Sequence, residues 1–189
     1  MLSEEQHLTR NDFYSIIDHM IHAKDTDFER VKSIFKQHKE WFGFVRTDYI
    51  QRTLMNNAEK FGYKSSFSAK HLSNNYLIFE DDVVITYAIN KVKHKLAKPP
   101  NTSDVNTYKG DVILHQIGAK NQNGSASRMI QKFFKEHKRV FLSVHSSNKI
   151  AKKFYEKNGM NLVGYTTFAK AKIPGDIYFY DGVEEVLYG

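Results

Sequence analysis

The stretch Asn121-Gln122-Asn123-Gly124-Ser125-Ala126-Ser127 ends in small residues and runs into a segment where Met129, Ile130, Phe133 and Phe134 recur at helical spacing. A helix begins with backbone N–H groups that have no partner inside the helix and with a partial positive charge of roughly +0.5. Such an end binds anions without a lysine, provided the approach is lined by side chains small enough for a phosphate to reach the backbone. Gly124, Ser125 and Ala126 meet that condition. They equally suit an ordinary helix start, so the loop alone leaves both readings open. A second constellation runs from Asn148 to Gly159. Asn148 can cap a helix, a contribution of about 1 kcal/mol. Ala151, Phe154 and Tyr155 stand at i, i+3 and i+4 and share one face, which must pack on a sheet and carry the phenol with it. The nine histidines form no helical H-x-x-x-H pair with a neighbouring carboxylate, so no metal is expected; His22, His38, His71 and His94 are scattered and expected at the surface.

The elements that must position these groups follow from periodicity. Phe28, Val31, Ile34 and Phe35 predict one helix from Asp25 to a stop at Gly43. Thr47 is expected to cap a second helix over Thr47–Ala58. Two apolar runs around Glu80-Asp81-Asp82 read as a hairpin, and Asp111–Ile117 and Val140–His145 as strands. The helix after Gly124 ends near His137, a further helix runs from Asn148 to Gly159, and Asn161–Ala171 and Asp176–Asp181 close the chain as strands. Loops are expected over Lys64–Asn75 and Lys98–Asp104. The basic run Lys91–Lys98 reads as a solvated strand end or loop. Strands alternating with helices in the second half imply a mixed α/β fold. Neither G-x-G-x-x-G nor G-x-x-x-x-G-K-[ST] occurs.

A length of 189 residues suits a single domain, expected to span residues 1–189, and 41% hydrophobic with 14% aromatic residues suits a packed core. There is no cysteine, which excludes disulfides, cysteine metal sites and a cysteine nucleophile. No apolar run approaches the roughly 20 residues that span a bilayer, and the polar start does not read as a secretory signal, so a cytoplasmic protein without membrane contact is expected. With 28 Lys+Arg against 21 Asp+Glu, the formal charge of +7 points to an anionic partner, either nucleic acid or a phosphorylated cofactor.

The order of elements and both motifs resemble the GCN5-related N-acetyltransferase (GNAT) superfamily. Its pyrophosphate loop, Q/R-x-x-G-x-G/A, is matched by Asn121-Gln122-Asn123-Gly124-Ser125-Ala126 except at the first position. Its later signature, N-x-x-A-x-x-F-Y-x-x-x-G-F, is matched at Asn148, Ala151, Phe154, Tyr155 and Gly159, with Met160 in place of the last aromatic. Composition and the stretch Gly110–Ser127 also resemble phage-encoded members. The resemblance makes Ser15–His22 the first strand. It implies an α+β fold with a mostly antiparallel central sheet, a splayed parallel strand pair and flanking helices.

The resemblance further implies acetyl-CoA as acyl donor, with its pyrophosphate on Asn121–Ser127 and its pantetheine inserted between the strands Asp111–Ile117 and Val140–His145. Main chain near Ile117 and Ala119 would bond the pantetheine amides, and Asn148 and Ala151 would line the cofactor. Tyr155 would protonate the leaving thiolate; a phenol near pKa 10 is an acceptable acid for a thiolate near 8.5. A base is also needed. Strand alternation puts Asp111, Ile113, His115 and Ile117 on one face. Asp111 matches the family's catalytic glutamate position, while His115 has the better ordinary pKa, about 6.5; His145 and a water chain remain further options. Trp41, Phe44, Tyr49, Tyr165 and Tyr178 could line an acceptor site or simply pack. The reaction so implied is acetyl transfer to an amine by direct attack, with a nucleic-acid-modifying enzyme or an inactive CoA-binding or interaction module as the alternatives. The acceptor and the oligomeric state are not legible.

Overall fold

The computed structural model describes residues 19–101, 103–170 and 172–182. A short turn at Asp25–Asp27 leads into α1 (Phe28–Gln37), followed by α2 (Lys39–Phe42) and α3 (Thr47–Phe61). Then come β1 (Tyr76–Glu80), β2 (Val83–Ile89), the two-residue strands β3 (His94–Lys95) and β4 (Asn106–Thr107), and β5 (Val112–Ala119). The second half alternates α4 (Ser125–Glu136), β6 (Arg139–His145), α5 (Lys149–Lys157), β7 (Asn161–Phe168) and β8 (Ile173–Asp181). Six strands form one sheet in the order β1-β2-β5-β6-β8-β7, antiparallel everywhere except between β5 and β6. This is the mixed, mostly antiparallel α+β arrangement with one parallel pair that the sequence led us to expect.

Alternating side chains send two cores to the two faces of the sheet. Val83, Ile85 and Tyr87 of β2, Val112 and Leu114 of β5, and Val140, Leu142 and Val144 of β6 pack under Met129, Ile130, Phe133 and Phe134 of α4 and Tyr155 of α5. Burial of each such large apolar side chain contributes up to about 1.5–3 kcal/mol. On the other face, Leu77, Phe79 and Val84 meet Val31, Ile34 and Phe35 of α1 and Ile50 and Leu54 of α3. A smaller cluster of Ala97, Val105, Phe141 and Ile177 tucks the β3–β4 excursion against the same face further along. The hairpin between β1 and β2 turns on Asp81 and Asp82, with φ of 51° and 56°. Two successive left-handed residues make the turn whose twist suits a two-residue hairpin, and aspartate tolerates that region.

Several expectations need correction. The helix from Asp25 to Gly43 breaks at His38, whose backbone leaves the helical region (φ −104°, ψ 35°). The break lets the His38 ring bond the carbonyl of Ala119 at 2.7 Å. Thr47 is not the cap of α3: Arg46 holds that position in an extended conformation and provides no side-chain cap, and α3 continues to Phe61, where Gly62 at φ 74° ends it. The final strand begins at Ile173, ahead of the expected Asp176. The strand expected over Ser15–His22 lies mostly outside the described residues; its end runs antiparallel along β1, through a bridge from His22 to Ile78 and a 2.9 Å bond from Ala23 N to Leu77 O.

His22 and His38 are half-buried rather than fully at the surface. His22 Nε2 lies 2.9 Å from the Tyr87 hydroxyl, and the His137 ring stacks obliquely on Phe133 and Tyr87. Among the described residues, no hydrogen-bond partner meets the buried His137 Nε2. Desolvation lowers the pKa of both rings from the ordinary 6.5 to about 4, with mutual repulsion adding to the effect at His22. Between pH 6.5 and 4 the unfolded chain therefore holds protons that the folded chain excludes, and stability must fall as pH falls, by at most ~1.4 kcal/mol per pH unit for each ring. Denaturant midpoints measured at pH 7, 6 and 5 should decline in that order, and His137→Phe should flatten the decline. A midpoint constant down to pH 4.5 would exclude this account.

Candidate active site

β5 and β6 pair at only two positions, Val112 with Val140 and Ile113 with Phe141. Beyond them the two strands share no ladder. β5 stays zipped to β2 as far as Ala119 and β6 to β8 as far as His145, so the gap widens toward both C-terminal ends. Its cause lies in β5. The β2 register passes from Thr86–Gln116 to Tyr87–Leu114, leaving His115 as an extra residue. A bulge of this kind bends its strand and increases its twist. It also overturns the expected alternation of Asp111, Ile113, His115 and Ile117. Ile117 packs with the core around Val112 and Leu114, whereas Ile113 joins the Phe141 cluster on the opposite face.

The closed end of the gap is clamped by charge. Asp111 is 4% exposed. One carboxylate oxygen accepts from Arg139 Nε at 2.8 Å and the other from Tyr108 N at 2.8 Å. Its bond and charge push the Arg139 guanidinium above its ordinary range. Arg139 starts β6, so this pair joins the starts of the two strands. Both oxygens of Asp111 are thus engaged, far from the open end.

At the open end, Asn121, Gln122, Asn123 and Gly124 are exposed and Gly124 sits at φ 82°, a left-handed conformation that glycine adopts freely. The first amide of α4 is not bare: Ser125 N donates to Asn123 Oδ1 at 3.1 Å. Arg128 N reaches Gly124 O at 3.1 Å, and among the described residues the amides of Ala126 and Ser127 meet no acceptor. Ser127 Oγ receives a long bond, 3.4 Å, from Asn158 Nδ2. Arg128, which the sequence reading missed, brings its guanidinium over the loop, 3.4 Å from Asn123 O. Its offset of four residues from Gly124 was the available signal. The loop is tied down from behind by Gln37 Nε2 to Lys120 O at 3.0 Å and Lys120 N to Asp82 O at 2.9 Å. The His38 bond to Ala119 O uses one lone pair of a carbonyl expected to serve a ligand.

α5 enters the site from β6. Asn148 caps it, its Oδ1 accepting from Ala151 N at 3.1 Å. Ala151 and Phe154 pack against the core, and Tyr155 belongs to the same buried cluster as Leu114 of β5 and Val144 of β6. The phenol makes no hydrogen bond to any described residue, and burial raises its pKa, so it stays protonated well into alkaline solution.

On the other face, the bulge turns His115 into a cavity of about 310 Å³ that Gln116 shares with Phe44, Tyr49, Arg46, Asp48, Arg52 and Asn75 from α3, its approach and the β1 approach. Tyr49 OH takes a 2.8 Å bond from Asn75 Nδ2 and stands 3.5 Å from Gln116 Oε1, which Thr86 also contacts. His115 keeps part of its surface open to solvent, and desolvation on its protein-facing side lowers its pKa from the ordinary 6.5. Of the five aromatic residues considered as lining, Phe44 and Tyr49 line this cavity. Tyr178 is fully buried and bonded to Glu156 at 2.7 Å, Tyr165 is exposed on the edge strand β7, and Trp41 packs edge-on to His145. His145 itself lies against Phe168, 4.8 Å between ring centres. Among the described residues no cluster of potential metal ligands occurs and no helix is long and apolar enough to cross a membrane.

A sheet that unzips between one parallel pair, with a glycine-led helix at the mouth, defines the fold of the GNAT acetyltransferases. Solved structures agree. A GNAT acetyltransferase from Streptococcus agalactiae matches with a TM-score of 0.61 at 12% identity, over 86% of this chain and 94% of that one. Arabidopsis thaliana NAA60 in complex with acetyl-CoA matches at 0.56 and 14% identity, over 86% and 96%. The microcin C7 self-immunity acetyltransferase MccE, solved with acetyl-CoA and AMP, matches at 0.55 and 13% identity, over 86% and 91%. Compared as a sequence, the chain matches no family profile and no curated protein.

The Asp111 geometry makes a distinct prediction. Asp111→Asn should lower stability by roughly 1–3 kcal/mol, because the buried charge that accepts from Arg139 and Tyr108 is lost and Arg139 keeps only the looser Asp181, 3.8 Å away. Chemical denaturation measures this; an unchanged midpoint would mean that the clamp contributes nothing.

Proposed function

We propose that the chain is a single acyltransferase domain that moves the acetyl group of acetyl-CoA onto an amine by direct attack in a ternary complex. The observation that carries this reading is the β5–β6 gap, unpaired beyond two rungs, with α4 following β5 in the chain and Tyr155 of α5 packed in the same core as both strands. A gap between strands offers unpaired backbone groups to an extended amide-bearing chain such as pantetheine. Two of the structurally similar proteins are described in complex with acetyl-CoA. The pyrophosphate would rest on the amides of Ala126 and Ser127 and on Asn121–Gly124, with Arg128 as counter-charge. Ile117, Ala119, Asn148 and Ala151 would flank the pantetheine.

In this reading His115 is the base. Its depressed pKa keeps it neutral at pH 7, and it takes one proton from the incoming ammonium, directly or through water. The amine nitrogen bonds to the thioester carbon, a main-chain N–H near Ile117 polarises the carbonyl, and the carbon–sulfur bond breaks. The Tyr155 phenol gives its proton to sulfur, and the surplus proton on nitrogen is returned to it through solvent. Asp111, occupied by Arg139 and Tyr108, is left as a clamp.

Calorimetry should find acetyl-CoA bound in the micromolar range. Gly124→Val should weaken that binding at least tenfold, because the left-handed turn resists a branched side chain. Tyr155→Phe should lower kcat by about 10²-fold or more and leave acetyl-CoA affinity unchanged. The rate should fall with acid through a pKa below 6.5, and His115→Gln should remove that inflection. Absence of binding at high micromolar donor would leave an interaction module in place of an enzyme; full turnover by Tyr155→Phe would remove the acid.

A further inference from the structure

The cavity beside His115 carries a charge pattern that an amine binding site has no need of. A site for a polycation needs carboxylates, yet Asp48 is the one carboxylate lining this cavity, and two arginines already engage it. Arg46 Nε stands 3.2 Å from Asp48 Oδ1, and Arg52 Nη2 stands 3.3 Å from Asp48 Oδ2. Arg52 Nε also donates to Asp48 O at 3.3 Å. Counting two guanidinium charges against one carboxylate, with His115 neutral, the lining carries a net charge of +1. Both terminal nitrogens of Arg46 and one of Arg52 have no acceptor among the described residues.

The helix under these side chains adds to the field. Arg46 provides no side-chain cap for α3, and the amides of Thr47 and Asp48 meet no acceptor among the described residues, while those of Tyr49 and Ile50 turn back to Arg46 O. An uncapped helix start, two forked donors and the neutral polar groups of Tyr49, Asn75 and Gln116 converge on one opening. Exposed ion pairs such as these contribute little, typically under about 1 kcal/mol, so a ligand anion competes readily for the arginines. Guanidinium, unlike ammonium, meets carboxylate or phosphate oxygens in pairs. The cavity volume of about 310 Å³ lies at the small end of ligand sites.

We propose that this cavity selects a small acceptor whose reacting amine lies next to an anionic group, a carboxylate or a phosphate, held by Arg46 and Arg52 while His115 faces the amine. This rests on the acyltransferase reading and narrows it: polyamines and other polycationic amines are excluded as acceptors, and amino-acid-like or phosphorylated amines are favoured.

The test uses matched probes that differ in charge: β-alanine and its amide, phosphoethanolamine and ethanolamine, and spermidine. Each is assayed by CoA release and, separately, by calorimetric binding in the presence of CoA. The acid of each pair should be preferred at least tenfold in kcat/KM, and the better of the two acids distinguishes carboxylate from phosphate. Arg46→Gln, at a side chain 82% exposed and so harmless to folding, and Arg52→Gln should each cut that preference about tenfold by raising KM. The partners that lack the anionic group, β-alaninamide and ethanolamine, should lose far less than the acids in either variant. Charge-selective binding that weakens in the variants but occurs without any CoA release would sustain the anion site and defeat the acyltransferase reading. Equal use of acid and amide, preference for spermidine, or a preference untouched in both variants would overturn the anion site, as would the absence of any charge preference in binding.

Discussion

The structure turns on a ladder that stops after two rungs. β5 and β6 are locked at their starts by Val112–Val140, Ile113–Phe141 and the Asp111–Arg139 pair, and they part immediately afterwards. Unpaired strand edges are a cost in a folded chain, since each backbone group left without a partner loses about 0.5–1.5 kcal/mol of net hydrogen bonding. Here neither strand can relieve it, because each is committed on its other side, β5 to β2 and β6 to β8. The gap is therefore fixed by the sheet and does not depend on a mobile loop.

One residue serves both sides of this arrangement. The bulge at His115 bends β5 away from β6, and it also aims the His115 ring into the cavity beneath α3. A regular strand would have left Ile117 on the same face as Ile113, and the face change that brings Ile117 over the α4 core would be lost. Opening the gap and presenting the imidazole are thus two consequences of one inserted residue.

The surrounding elements hold the mouth of the gap in place. The end of α1 and the break at His38 fasten Ala119 and Lys120, while the β1–β2 hairpin fastens Lys120 from the other side. Gly118 permits the close approach this needs: a Cβ there would lie 3.2 Å from Ile34 and 3.3 Å from Phe42. An anchored strand end then delivers the chain into the Asn121–Gly124 turn, so that the exposed part of the loop is confined to a few residues.

Much of this was legible in the residues. Helical spacing marked α4 and α5, Asn148 and Gly159 marked the ends of α5, and adjacent aspartates marked the hairpin, because those signals act within a few residues along the chain. The small residues at Gly124–Ala126 and the aromatic pair at Phe154–Tyr155 were legible for the same reason. The bulge was not, since two-residue periodicity assumes an unbroken ladder, and only the β2 register reveals the extra residue. Nor was the engagement of Asp111, whose partner Arg139 lies 28 residues away in sequence. The break at His38 and the covering of Ser125 N by Asn123 likewise depend on partners that local pattern does not specify. Sequence by itself marked most of the strands and helices and the loop of small residues that leads into α4, because those signals are local. Tertiary structure alone decided which strands stay zipped and which side chains remain free, because both depend on competition for hydrogen bonds and charge between segments distant along the chain.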